Sequence, residues 1–302
     1  MKIAFLFAGQ GAQQVGMGKD FYDNLTSAKE TYDQFSEIRD LCFLDKDGVL
    51  NQTAYAQKAM LLTSFVIADS LRREGILPEY VCGLSLGEYS ALTFADVWPL
   101  HDALEIIKNR GRIMQDALPL GTTKMVAVLN LGRASILECL GQVRSGVVEI
   151  ANYNCPGQIV ITGENKAVDE AVELLKPKAR RCVPLNVSGA FHCSLLNEAG
   201  KKLRAVLDRF SPDKPSYKVL YNVSGKEEDA PINDILERQI CHSVYFEDII
   251  ENLLKDGVDT FVEIGPGKTL SGFVRKTAKT PISIINVSDY PSFLEALKVL
   301  KA

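Results

Sequence analysis

From residue 3 onward, short runs of β-branched and aromatic residues take turns with stretches whose apolar residues recur every three or four positions. That rhythm is the pattern of an α/β protein built on a mainly parallel sheet, with helices making the crossovers. Residues 3–7 read as the first strand. Helical periods follow, among them 57–73, where Met60, Leu61, Phe65, Ala68 and Leu71 fall on one apolar stripe. A strand is expected over 80–83 and helices over 86–94 and 100–117. Between 124 and 187 the order becomes strand (125–129), helix (133–140), strand (147–151), strand (158–162), helix (166–175), strand (181–185). This βαββαβ series is the signature of a ferredoxin-like unit, here inserted into the larger one; continuation of the main sheet is the competing reading. The expected division is 1–123 with 188–302 as a large α/β domain and 124–187 as the small one. Past 188 the alternation resumes, with helices over 194–209, 232–240, 246–255, 269–278 and 291–301 and strands over 218–221, 260–264 and 282–285.

A chain of 302 residues with 46% apolar content suffices for one large core or two modest ones. The 34 Lys and Arg against 38 Asp and Glu leave it slightly acidic, which argues against attraction of the whole molecule to nucleic acid or an anionic membrane. The apolar N-terminal run is broken by Gly9 to Gln14, too early for a signal segment or a membrane span. Seven cysteines, an odd number without paired spacing, argue against a disulfide framework or structural zinc and for reduced thiols in a cytoplasm.

The chemistry-bearing stretch is "VCGLSLGEYSAL", residues 81–92. Gly83-Leu84-Ser85-Leu86-Gly87 fits Gly-x-Ser-x-Gly between a strand and a helix, where close packing excludes side chains from the glycine positions and the serine hydroxyl stands at a helix N-terminus. Ser85 is therefore a candidate nucleophile; a packed glycine-rich turn is the plainer reading. A neutral hydroxyl needs a base. Of the three histidines, His101 opens a helix beside Pro99, His242 sits near a helix start, and His192 lies on a loop between a strand and an amphipathic helix. His192 ranks first and His242 stays open. No acid is placed to complete a triad, and a backbone carbonyl can hold the second ring nitrogen instead.

Six ordered segments resemble the malonyl-CoA:acyl carrier protein transacylases: "FAGQGAQQVGMG" (7–18), "GLSLGEYSAL" (83–92), "NRGRIMQDA" (109–117), "NYNCPGQIVITG" (152–163), "VSGAFHCSLL" (187–196) and "VEIGPGKTLSGFV" (262–274). The likeness spans nearly the whole chain and implies a large domain similar to the α/β-hydrolases. It implies Ser85 as nucleophile, His192 as base and Arg110 as the grip on the substrate's free carboxylate, a role suited to a planar guanidinium with two parallel donors. It further implies main-chain N–H groups of Gln10 and Leu86 as the oxyanion hole, a carbonyl near Tyr245 behind the histidine, and Asn154 as a polar wall. Asn154 also suits a turn before Pro156. The implied reaction is ping-pong transfer of malonyl from malonyl-CoA to acyl carrier protein, for fatty-acid synthesis, with no metal and no permanently bound cofactor. Coenzyme A enters as the substrate's thioester. Lys176, Lys178, Arg180, Arg181, Arg275 and Lys276 are candidate contacts for the acidic carrier.

Two positions depart from that family's pattern: Ala8 stands where proline is usual and Leu84 where histidine is usual, which opens the question of donor choice. Phe191 matches the pairing associated with malonyl donors. An acyltransferase of a polyketide pathway and a serine esterase are the competing enzymes, although an esterase has no use for Arg110. "GPGKT" at 265–269 lacks the glycine a phosphate-binding loop needs at 262, where valine stands.

Overall fold

The computed structural model describes residues 1–187 and 189–301. Along them run β1 (Ile3–Phe7), β2 (Tyr80–Gly83), β3 (Thr123–Leu129), β4 (Val148–Cys155), β5 (Gln158–Glu164), β6 (Arg181–Pro184), β7 (Lys218–Val219), β8 (Val244–Tyr245), β9 (Thr260–Ile264) and β10 (Ser283–Val287). They form two five-stranded sheets, ordered β10-β9-β1-β2-β7 and β6-β3-β5-β4-β8.

The first sheet is parallel throughout its pairings. Its central strands β1, β2 and β9 are buried along their whole length. Burial on both faces favours near-continuous apolar runs over alternation, as in β1; β9 also buries Thr260 and Glu263, and the Glu263 carboxyl oxygens accept from the Leu270 and Ser271 N–H groups. Successive residues still point to opposite sides: Ile3, Phe5 and Phe7 enter one core cluster, Ala4 and Leu6 another. The long helix Thr53–Arg73 carries much of the first cluster, through Met60, Leu61, Ile67 and Leu71. No helix among the described residues is long and apolar enough to cross a membrane.

In the second sheet β3 pairs antiparallel with β5 and β6, and β4 antiparallel with β5. Helices Arg133–Leu140 and Asn165–Leu175 pack on it around Val126, Val128, Ile136, Ile159, Ile161 and Val168. Its fifth strand, β8, comes from far along the chain and joins β4 in parallel, Asn152 opposite Val244 and Tyr153 opposite Tyr245. A two-residue strand carries no periodicity, so nothing in its sequence announces it. The boundary expected at residue 188 and the end at 302 lie outside the described residues. Arg133 links the sheets' surroundings: its guanidinium reaches Asp248 at 2.5 Å and Glu247 at 3.1 Å on helix Phe246–Lys255.

Several expected boundaries shift: the helix expected over 57–73 starts at Thr53, that expected over 100–117 ends at Gln115, the strand expected over 218–221 spans only Lys218–Val219, and that expected over 282–285 runs Ser283–Val287. The helix expected over 194–209 opens as a 3₁₀ turn, Ser194–Leu196, and becomes α-helical only over Asn197–Leu207. The strand expected over 147–151 runs on to Cys155.

At the end of β2 the chain turns sharply through Ser85 into helix Leu86–Phe94. A Cβ on Gly83 would stand 2.1 Å from the Gly87 carbonyl carbon, and one on Gly87 would stand 2.1 Å from the Phe7 carbonyl oxygen. Only bare α-carbons let this helix lie against β1. The carboxyl ends of β1, β2 and β7 thus deliver Gln10, Ser85 and Asn222 to one rim of the sheet, where ligand sites of open parallel sheets collect.

Gly87→Ala is expected to cost ~3 kcal/mol or more of unfolding free energy, because the obstructing atom is backbone in the central strand. Gly272→Ala is the control: beyond its own helix, no described residue lies within 4 Å of its Cβ position, and its helical setting predicts a change of at most ~1 kcal/mol in the stabilising direction. Equilibrium urea unfolding of both variants checks the contrast.

Candidate active site

Ser85 is held at φ 55° and ψ −103°, outside the regions that a non-glycine residue adopts freely. Three hydrogen bonds hold it there. Its N–H donates to Asn222 Oδ1 at 2.7 Å, Asn222 Nδ2 donates to the Gly83 carbonyl at 2.7 Å, and Gln239 Nε2 donates to the Ser85 carbonyl at 2.8 Å. Asn222 is oriented in turn by its own N–H, which donates to Glu88 Oε2 at 2.5 Å. The Leu86 N–H is the first of the helix and so has no partner within it. The loop after β1 runs against the turn: a Cβ on Gly9 would stand 2.7 Å from the Leu84 carbonyl oxygen. Gln10 follows on that loop and is tied by its side chain to Thr53 Oγ1 at 3.1 Å.

His192 reaches the turn from the opposite side. Its Nε2 lies 2.7 Å from Ser85 Oγ, and its Nδ1 lies 2.8 Å from the Gln239 carbonyl oxygen. With Nδ1–H donating to that carbonyl, Nε2 is left as the acceptor facing the hydroxyl. The carbonyl behind the histidine is therefore that of Gln239, in the last turn of helix Ile232–Cys241, and not one near Tyr245. A helix end supplies carbonyls without intrahelical donors, so it can spare one for an imidazole. The second sheet sets the histidine loop: Ala190 N–H donates to Thr123 Oγ1 at 2.9 Å and Ser194 N–H to Glu149 Oε2 at 2.9 Å. His192 has φ 58°, so both members of the pair sit in left-handed backbone.

Arg110, on helix Leu100–Gln115, is wholly buried. Its Nη1 donates to Gln57 Oε1 at 2.8 Å, and its Nη2 to Gln239 Oε1 at 3.1 Å and to Ser85 Oγ at 3.2 Å. The guanidinium also covers the Tyr89 ring, 4.9 Å from its centroid. Burial, then the Arg110 charge, pushes His192 down from 6.5 to about 4. Burial pushes the Glu88 carboxyl up to about 8, so it keeps its proton at neutral pH. At pH 7 the centre thus holds a neutral imidazole, a hydroxyl and a cation whose three hydrogen-bond partners are all uncharged.

Such an arrangement suits acyl transfer to and from Ser85 of a group with a negative tail. A model of the acyl transferase domain matches residues 4–292. The chain belongs to the acyl transferase family. Over 310 aligned residues it is 40% identical to the malonyl CoA-acyl carrier protein transacylase of Bacillus subtilis (strain 168), covering 99% of this chain and 98% of that one. Among solved structures, the malonyl CoA-acyl carrier protein transacylase of Clostridium perfringens superposes with a TM-score of 0.96 at 42% identity, covering 100% of this chain and 98% of that one. A malonyl-transacylase in complex with a type II PKS acyl-carrier protein superposes with a TM-score of 0.94 at 33% identity, covering 99% of this chain and 100% of that one.

The remaining sequence candidates of this acyl transferase lie farther out. Asn154 is buried on β4, and its Oδ1 has no hydrogen-bond partner among the described residues. His242 turns its Nδ1 to the Arg238 carbonyl at 3.0 Å and lines a separate cleft with Glu149, Ser194 and Tyr245; His101 is exposed beside Asp102. Arg180, Arg181, Arg275 and Lys276 are exposed, whereas Lys176 and Lys178 pair with Glu173 and Glu138. The departures have local consequences. Ala8 keeps an N–H that donates to the Ile264 carbonyl at 3.0 Å, extending the β1–β9 ladder by a bond proline cannot make. Leu84 is half-buried against the cluster of Cys155, Leu220 and Phe246.

Gln57, Glu88, Asn222 and Gln239 escaped sequence reasoning. Three leave a trace: Gln57 stands on the apolar stripe of its helix, Gln239 in register with Ile235 and Leu236, and Glu88 inside the apolar LGEYSALTF. A polar residue where the period calls for an apolar one is the signal. Asn222 leaves none.

Because a base must be unprotonated to act, acylation of Ser85 is expected to stay level from pH 8 down to about 5 and fall only through about 4. An exposed histidine would place that limb near 6.5. Single-turnover rates across pH check it. The same shift implies that His192 withdraws stability as pH falls from about 6.5 to about 4, since only the unfolded chain binds the proton there.

Proposed function

We propose that this acyl transferase moves a malonyl group from malonyl-CoA to the pantetheine thiol of acyl carrier protein in fatty-acid synthesis, through a malonyl-Ser85 intermediate. The observation that carries the reading is a wholly buried arginine donating to the hydroxyl of an activated serine. In malonyl-CoA one methylene separates the thioester carbonyl from a free carboxylate. When Ser85 Oγ attacks that carbonyl, the carboxylate comes within reach of the guanidinium touching Oγ. A serine esterase for neutral acids gains nothing from so costly a buried cation.

His192 Nε2 takes the hydroxyl proton as Oγ bonds to the thioester carbon. The Gln10 and Leu86 N–H groups receive the developing oxyanion, each contributing ~3 kcal/mol to the transition state. The C–S bond breaks, coenzyme A leaves with the proton from His192, and the carrier thiol then repeats the sequence in reverse. Arg110 holds the malonyl carboxylate throughout. The buried, unpartnered Asn154 Oδ1 supports a role as the polar wall of the acyl pocket.

For the carrier, pairing geometry supports one docking edge. Arg181 lies opposite Leu129, Leu129 opposite Gln158, and Lys276 Nζ reaches Gln158 Oε1 at 3.4 Å. Adjacent strands are about 5 Å apart, so Arg180, Arg181, Arg275 and Lys276 share one end of the second sheet. An acidic carrier would meet these cations despite the net charge of −4. We also read 124–187 as an inserted ferredoxin-like unit within an α/β-hydrolase-like domain of 1–123 and 188–302; the order β6-β3-β5-β4 and the two helices packed on that sheet support it.

Intact mass spectrometry after exposure to malonyl-CoA is expected to show a malonyl adduct on the wild type and none on Ser85→Ala. Arg110→Ala is expected to lose malonyl loading by at least ~100-fold while acetyl loading falls less, the loss of a charge-assisted bidentate contact. An unchanged donor preference in that variant counts against the carboxylate grip. Arg275→Glu with Lys276→Glu should raise KM for the carrier several-fold and leave malonyl-CoA loading intact, measured by stopped transfer assays.

A further inference from the structure

One residue touches all three groups of the centre. Gln239 is wholly buried. Its main-chain oxygen accepts from His192 Nδ1 at 2.8 Å, its Oε1 accepts from Arg110 Nη2 at 3.1 Å, and its Nε2 donates to the Ser85 carbonyl at 2.8 Å. The amide is used in both polarities, oxygen toward the cation and NH₂ toward the carbonyl. A carboxylate of the same shape meets the first demand too strongly and the second not at all. Gln57, which accepts from Nη1, is also a neutral amide.

Neutral acceptors meet Nη1 and Nη2 of the buried guanidinium, its Nε has no hydrogen-bond partner among the described residues, and its charge is left uncompensated, an expensive state that an anion entering the site relieves. Glu88, the carboxyl whose field also reaches Arg110, does not supply that anion at neutral pH, because it keeps its proton.

We propose that Gln239 is a positioning residue for the acyl transfer: its side chain aligns Arg110 with the Ser85 turn and, by being neutral, leaves the guanidinium charge for an acyl group that carries a free carboxylate. The proposal rests on the malonyl-transfer reading for its substrate, yet the coupling it asserts is measurable without one.

The test uses the full-length protein as wild type, Gln239→Glu and Gln239→Met, all of which keep the main-chain carbonyl behind His192. Two quantities are read: single-turnover loading from malonyl-CoA and acetyl-CoA, and the titration of the His192 imidazole by NMR in the absence of substrate. In Gln239→Glu the new carboxylate compensates Arg110. The malonyl-to-acetyl loading ratio is expected to fall by about tenfold or more, and the His192 midpoint to rise by about one pH unit. In Gln239→Met, which removes both side-chain hydrogen bonds without adding charge, loading from both donors is expected to fall together and the ratio to hold within about threefold. A Gln239→Glu enzyme with the wild-type ratio and an unmoved His192 midpoint overturns the proposal, as does Gln239→Met with wild-type loading rates. A wild type that takes up no malonyl overturns the transfer reading instead, and the His192 titration still decides whether Gln239 couples the three groups.

Discussion

Everything at the centre depends on how closely helix Leu86–Phe94 approaches the first strand. With Gly83 and Gly87 bare, the helix start lies against the backbone of β1, and the chain between strand and helix has room for one residue in a left-handed turn. Ser85 is that residue. Its conformation is unfavourable in isolation, and Asn222 and Gln239, from elements distant in the chain, hold it by hydrogen bonds, Asn222 being anchored in turn on the Gly83 carbonyl. A hydroxyl so held sits above the first N–H groups of a helix, where developing negative charge is favoured.

The second determinant is burial. A guanidinium, an imidazole and a carboxyl share a volume closed to solvent, and that burial is the first cause of each one's shift in proton affinity. Burial above all, and then the charge of Arg110, lowers the imidazole's proton affinity, while burial keeps the proton on the Glu88 carboxyl although Arg110 pulls the other way. The result at neutral pH is a base ready to accept a proton beside a cation with uncharged partners. Both properties follow from desolvation acting on groups that water would level.

His192 belongs to a seam. Its loop is fastened to β3 through Thr123 and to β4 through Glu149, while its ring is held by the end of helix Ile232–Cys241. The second sheet therefore contributes to the centre by aiming a loop, and β8 and the Arg133 contacts tie that sheet to the body carrying Ser85. Relative movement of the two sheets would lengthen the 2.7 Å contact between base and hydroxyl.

Much of this was legible in the chain alone. The first strand, Ile3–Phe7, buried on both faces, stands out as an unbroken apolar run, and Gly-x-Ser-x-Gly announces its turn because sterics allow few alternatives. Ser85, His192 and Arg110 were named from residue type, setting and family likeness, and the fold brings all three into contact. The carbonyl behind His192 was misplaced, and Gln57, Asn222 and Gln239 went unseen, because an amide makes no local demand on its neighbours. Its partners lie 53, 137 and 129 residues away. The sequence determined which segments form strands and helices, and where the chain must turn, since those depend on near neighbours. Only the tertiary structure decided which buried groups share one low-dielectric space, and with that their protonation, because desolvation and hydrogen bonding depend on distance in space.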